Sequence, residues 1–166
     1  MYQYQEEITD LLNEVSEKIY EFQLTGYSFE EWFNWELYAK FKQSGYFVTP
    51  KPAFCTDYKS YADLLIKDCR NNNEMYVEVK LVHDDTGNKW LDEIEIDRKA
   101  LQSMKTTETL KGLQLLLLAS SHQNLLTHPN WKPWLEKLSF WGEAPDIKVV
   151  SGFQRGSIIV LGWQVG

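Results

Sequence analysis

The chain has 166 residues, 43% hydrophobic, 25% charged and 14% aromatic, with a net charge of −7. That length fits a single domain, the aromatic and apolar content excludes a disordered chain, and no run reaches the ~18 apolar residues of a membrane span. The charge is uneven: residues 1–36 hold nine acids against Lys18 alone, while 37–166 hold 15 acids and 16 bases, so a protein dominated by phosphate contacts is disfavoured but a local basic face is not.

Residues 3–24 read as a helix, because Ile8, Leu11, Leu12, Val15 and Ile19 recur at spacings of three and four with acids opposite. Thr25-Gly26-Tyr27 stops it. Ser28 reads as the N-cap of a second helix over 29–44, with Glu31 closing a capping box and Ser44-Gly45 ending it. Tyr46-Phe47-Val48 is a short strand ended by Pro50 and Pro52, and 53–60 reads as loop. Residues 61–67 form a second strand with Asp63 inside it. A turn at 70–74 leads into a third strand over 75–82, where apolar residues alternate. A polar helix over 95–108 follows, then a wholly apolar strand over 112–120 that is buried on both faces. A short Trp-rich helix over 131–139 and strands at 147–150 and 157–163 complete the order. The expected fold is therefore α/β of the α+β kind, a central mixed sheet flanked by helices. It is one domain, 1–166, with an acidic helix at 1–26, a core at 29–120 and a C-terminal helix and strands at 121–166.

The third strand carries the chemistry. Period-two alternation puts Val77, Val79 and Leu81 on one face and Tyr76, Glu78 and Lys80 on the other. An ion pair on a solvated face is the simpler reading of Glu78-Val79-Lys80 alone. Asp63 alters it, since aspartate is disfavoured in strands and this one is paired by a short turn to the strand that holds Glu78. Two carboxylates on adjacent strands can converge on one hard divalent cation, Mg²⁺ or Mn²⁺, with the Val79 carbonyl between them. Lys80 beside the ion would position or deprotonate a water, or steady charge on a phosphate.

Asp63 followed by Glu78-x-Lys80 resembles the PD-(D/E)xK nuclease superfamily, the restriction-endonuclease-like fold. The resemblance spans roughly residues 29–120. Trp35-Glu36-Leu37 matches a helix glutamate of that family, with Glu30 or Glu31 in its place under another helix register, Gly45-Tyr46-Phe47-Val48 its step into the first strand, and the elements at 95–108 and 112–120 its later helix and buried strand. Tyr61-Ala62 stands where the family's proline is expected. The resemblance implies an αβββαβ core with an extra N-terminal helix. It implies phosphodiester hydrolysis, most simply in DNA. Asp63, Glu78 and Val79 would hold the metal, and Glu36, Asp63, Glu78 and Lys80 would form the catalytic set. Arg98, Gln102 and Lys105, read on one helix face, would contact the nucleic acid. A homodimer is implied where both strands are cut.

Other residues carry less. His83-Asp84-Asp85 is a polar turn, or else a further ligand or proton shuttle. His122 and His128 lack cysteine partners at zinc spacing. Cys69 reads as a buried structural thiol. Two cysteines, Cys55 and Cys69, make no disulfide framework, and the opening Met1-Tyr2-Gln3-Tyr4-Gln5-Glu6-Glu7 has no leader pattern, so a reducing cytoplasm is expected and a membrane is not. Two competing readings use the same residues: a non-catalytic module whose acidic N-terminal helix docks on a protein partner, and a small α+β domain without metal.

Overall fold

Alternating burial along the strands and three- and four-residue burial along the helices build the molecule. A computed structural model describes residues 4–54 and 57–166, without the side chains of 57–59. Cys55 and the opening residues 1–3 lie outside it. In chain order the elements are α1 (Gln5–Leu24), α2 (Glu30–Gln43), β1 (Phe47–Pro50), β2 (Ala53–Phe54), β3 (Asp57–Tyr61), β4 (Leu64–Asp68), β5 (Asn73–His83), α3 (Lys89–Ser103), β6 (Leu110–Ser120), a 3-10 turn (Leu125–Thr127), α4 (Lys132–Leu135), β7 (Ile147–Val150) and β8 (Ser157–Val165).

Six strands form one mixed sheet in the order β1-β4-β5-β6-β8-β7. Every neighbouring pair is antiparallel except β5 and β6, which are parallel because α3 carries the chain back between them. The expected mixed α+β fold is what the chain adopts. The stretch 53–60, expected to be loop, instead contributes β2 and β3, a two-stranded antiparallel ribbon outside the main sheet.

The sheet is covered on both faces. Val77, Val79 and Leu81 of β5 join Leu113, Leu115 and Leu117 of β6 under the apolar stripes of α1 and α2. The aliphatic face therefore packs on helices as its alternation requires. Val82, Leu116, Leu118 and Trp163 lie on the opposite face with Ile94 of α3 and Leu135 of α4. At Gly112 an added Cβ would stand 3.2 Å from the Cβ of Leu101, so the missing side chain lets α3 sit close on β6. The apolar stripe of α1 is spent on this core. Parts of its acidic face pair within the molecule, Glu14 with Lys40 at 2.7 Å and Glu17 with Arg155 at 3.4 Å.

Four local expectations are corrected. α3 starts at Lys89 and ends at Ser103, so Lys105 lies beyond it. The capping box does not form: the N-cap of α2 is Phe29, and the Ser28 hydroxyl accepts only a 3.5 Å bond from the Glu30 N–H. Glu30 is drawn to the sheet instead. Strand β6 is not wholly apolar, because Gln114 in it is fully buried. Cys69 is exposed. Among the described residues no helix is long and apolar enough to cross a membrane.

Candidate active site

The site arises where the sheet splits. β4 pairs with β5 as far as Leu64 opposite Val77, and the Asp63 N–H extends the ladder by donating to the Val77 carbonyl at 3.1 Å. Before Asp63 the chain peels away into the ribbon, where Tyr61 pairs with Ala53. β5 runs on to His83. Among the described residues its edge beyond Val77 therefore has no strand partner, and bare N–H groups there need acceptors. Two carboxylates supply them. Val79 N–H donates to Asp63 Oδ2 and Leu81 N–H donates to Glu30 Oε2, both at 2.9 Å. In an extended strand the N–H and C=O of one residue point to the same edge, so the Val79 carbonyl faces this gap too.

Asp63 thus stands one residue before β4 rather than inside a strand. It meets Glu78 as expected: the two carboxyl groups are within hydrogen-bonding reach. Glu78 is 6% exposed. Burial, followed by the neighbouring Asp97 and Asp63 charges, pushes its carboxyl up to about 9, against the opposing pull of Lys80. A proton on Glu78 relieves the crowding of two carboxylates when no cation is there.

Lys80 sits on the same face as Glu78, and α3 closes over it. Its Nζ is 3.1 Å from Asp97 Oδ2 and 3.4 Å from Glu30 Oε1. Burial works against its charge, but Glu30 and Asp97 outweigh burial and hold its pKa above the ordinary lysine value. Lys80 is therefore a fixed cation and donor. The expected alternative, a lysine that deprotonates water, conflicts with that environment.

The helix glutamate at the site is Glu30 and not Glu36. Glu36 is half-buried and makes no hydrogen bond or ion pair with Asp63, Glu78 or Lys80 among the described residues. The signal was present in the sequence. The buried positions Phe33, Leu37 and Phe41 of α2 extend back at helical spacing to Glu30. Asp97, not singled out from the sequence, carries the same signal, lying between the buried Ile94 and Leu101 on the inner face of α3.

The three residues expected to touch nucleic acid are not one surface. Arg98 is 5% exposed, paired with Glu143 at 2.6 Å and stacked 4.2 Å over the Phe140 ring. It braces α3 against the C-terminal segment. Gln102 and Lys105 are exposed. His83 is buried and stacks on Phe29, and its Nδ1 accepts from Asp85 N–H at 3.2 Å. Asp84 ties the same turn to the rest of the fold. Burial opposes its ionisation, but hydrogen bonds from Ser120, Ser121 and Trp131 hold its carboxyl at about 2.

Four carboxylates (Glu30, Asp63, Glu78 and Asp97) meet two ammonium groups, those of Lys80 and of Lys51, which is 3.0 Å from Asp63 Oδ1. Fully ionised, the group carries a surplus of two negative charges, the amount one divalent cation neutralises. Among the described residues no three His, Cys, Asp or Glu side chains converge tightly enough to hold a metal unaided. Asp63 and Glu78 are neighbours, the Val79 carbonyl faces the same edge, and Mg²⁺ commonly keeps several waters beside one or two carboxylates. The donor set therefore fits such an ion. Beside Glu78 in register lies Gln114, whose amide nitrogen and oxygen have no hydrogen-bond partner among the described residues.

No family model matches the chain, and comparison with curated proteins and with solved structures finds no match either.

Proposed function

We propose that this protein is a metal-dependent nuclease of the PD-(D/E)xK type, hydrolysing phosphodiester bonds, most simply in DNA. The observation that carries this reading is the meeting of Asp63 and Glu78 at the split in the sheet, beside a lysine clamped in its charged form. The order of elements supports it: a helix, antiparallel strands with Asp63 just before β4 and Glu78-x-Lys80 within β5, a crossover helix and a parallel buried strand. Asp63, Glu78 and the Val79 carbonyl would hold Mg²⁺ or Mn²⁺. When bound, such an ion lowers the pKa of a coordinated water and offsets charge on the phosphate.

The chain's own residues do the rest. Lys80 presents N–H donors and a permanent charge where a water or a phosphate oxygen would lie. Glu30 and Asp97 hold the ammonium in one place, from α2 and α3 respectively. Gln102 and Lys105 are available to the nucleic acid, whereas Arg98 is not. In this reading the protein works in the cytosol, and as a homodimer where both strands are cut.

A plasmid-nicking assay in Mg²⁺ or Mn²⁺ tests it, with Asp63→Ala and Lys80→Ala as controls. Metal-dependent nicking lost in both variants is the expected result. Nicking that persists in both eliminates the assignment. The second reading, a non-catalytic module docking through α1, draws on the acidic, solvent-facing side of that helix. It is favoured if the wild-type chain cuts nothing and a basic protein partner protects α1 from hydrogen exchange.

A further inference from the structure

The turn after β1 carries a residue with no place in the scheme above. Lys51 adopts a left-handed backbone conformation, φ +48°. That region disfavours a residue with a Cβ, and such strain in a native turn points to a local role. The turn puts Lys51 directly opposite Asp63. Its N–H donates to the Asp63 carbonyl at 2.9 Å, and its ammonium lies 3.0 Å from Asp63 Oδ1. The other oxygen, Oδ2, is held by Val79 N–H. Both oxygens of one carboxylate are thus occupied, and Oδ1 is taken by a movable cation. The Asp63 side chain is 11% exposed and that of Lys51 is 63% exposed. Lys51 reaches the cluster from solvent and can swing away without disturbing the core.

We propose that Lys51 is a resident cation at the metal position. It neutralises Asp63 until the divalent ion arrives, and then turns outward to a backbone phosphate of the substrate.

This rests on the nuclease reading and adds a residue to it. An ammonium and a divalent ion cannot both take Oδ1 at close range, since their charges repel across a few ångströms. Competition from the ammonium therefore weakens apparent metal affinity. Once released, the ammonium stands at the solvent side of the cluster, where a phosphate would approach. The overall acidity of the chain makes a lysine at that lip more valuable, because the field elsewhere repels nucleic acid.

The two halves of the exchange predict opposite effects of one substitution. Lys51→Met removes the competitor, so Mn²⁺ binding measured by calorimetry tightens by roughly three- to ten-fold. The same variant binds a short DNA duplex in Ca²⁺ more weakly by a similar factor. Lys51→Arg keeps the charge and restores both values towards wild type. An unchanged thermal midpoint shows that the variants are folded, which the exposure of the side chain leads one to expect. If wild type and Lys51→Met take up Mn²⁺ with equal affinity, the exchange is refuted while the metal site stands. Tighter Mn²⁺ binding with unaltered DNA affinity refutes the handover to phosphate. If wild type takes up no Mn²⁺ at all, the nuclease reading fails and the exchange falls with it.

Discussion

Glu78 shows how a single side chain links stability to chemistry. Its ordinary pKa is 4.5 and its folded value is about 9. Between those limits the folded chain binds a proton that the unfolded chain has released. The stabilisation is complete below the lower value and is lost as pH rises through the upper one. The thermal midpoint of the metal-free protein should therefore fall between about pH 5 and pH 9. Glu78→Gln, a neutral isostere, should flatten that decline. Near pH 8 its thermal midpoint should exceed that of wild type by several degrees in a calorimetric scan, while nicking is lost. Arg98 gives a contrasting case. Its guanidinium is buried, stacked on Phe140 and paired with Glu143. Arg98→Ala should cost about 2–3 kcal/mol in urea denaturation. It should leave DNA affinity within about two-fold of wild type, because it meets no solvent-borne phosphate.

Elements bring the cluster together. α2 delivers Glu30 to the bare edge of β5, and α3 delivers Asp97 to Lys80. Neither contact is made by a neighbour in sequence. Lys80 is held from two helices at once, so a small shift of either would move its ammonium. Glu30→Gln keeps the shape but weakens both the ion pair and the Leu81 contact, and nicking should fall about 100-fold. Glu36→Gln, on the same helix, should stay within about two-fold of wild type in the same assay. Equal losses in the two variants would return the helix acid to Glu36. The split of β3 from β4 matters as much. Had β4 continued alongside β5, the Val79 and Leu81 N–H groups would be paired, and Asp63 would have no gap to fill.

The whole molecule decides whether an ion can be accommodated. Four acids and two lysines come together around the split in the sheet from distant parts of the chain, and their net charge is unbalanced. A ligand that binds only the folded chain stabilises it by an amount that grows with the logarithm of its concentration over its dissociation constant. Mn²⁺ at one hundred times its dissociation constant should add about 2.7 kcal/mol. That is a thermal shift of several degrees, absent from Asp63→Ala. A wild-type midpoint indifferent to millimolar Mn²⁺ would instead support a fold whose cluster is only structural. The acidic face of α1 is partly paired with Lys40 and Arg155, which leaves less of it for a partner than the sequence suggests.

Within one element, backbone geometry alone fixes which side chains share a face. The sequence therefore determined the mixed α+β fold, the aliphatic face of Val77, Val79 and Leu81, and the adjacency of Glu78 and Lys80. The proximity of Asp63 to Glu78 was also legible, since a short turn joins β5 to β4, which Asp63 immediately precedes. Contacts between elements follow no such spacing. Helical spacing turns Glu30 and Asp97 inward, but only the tertiary structure set them on Leu81 and Lys80, buried Arg98 and set Lys51 against Asp63. Those choices depend on how α2 and α3 sit on the sheet and on where the chain leaves it, and these are settled by burial summed over the whole core.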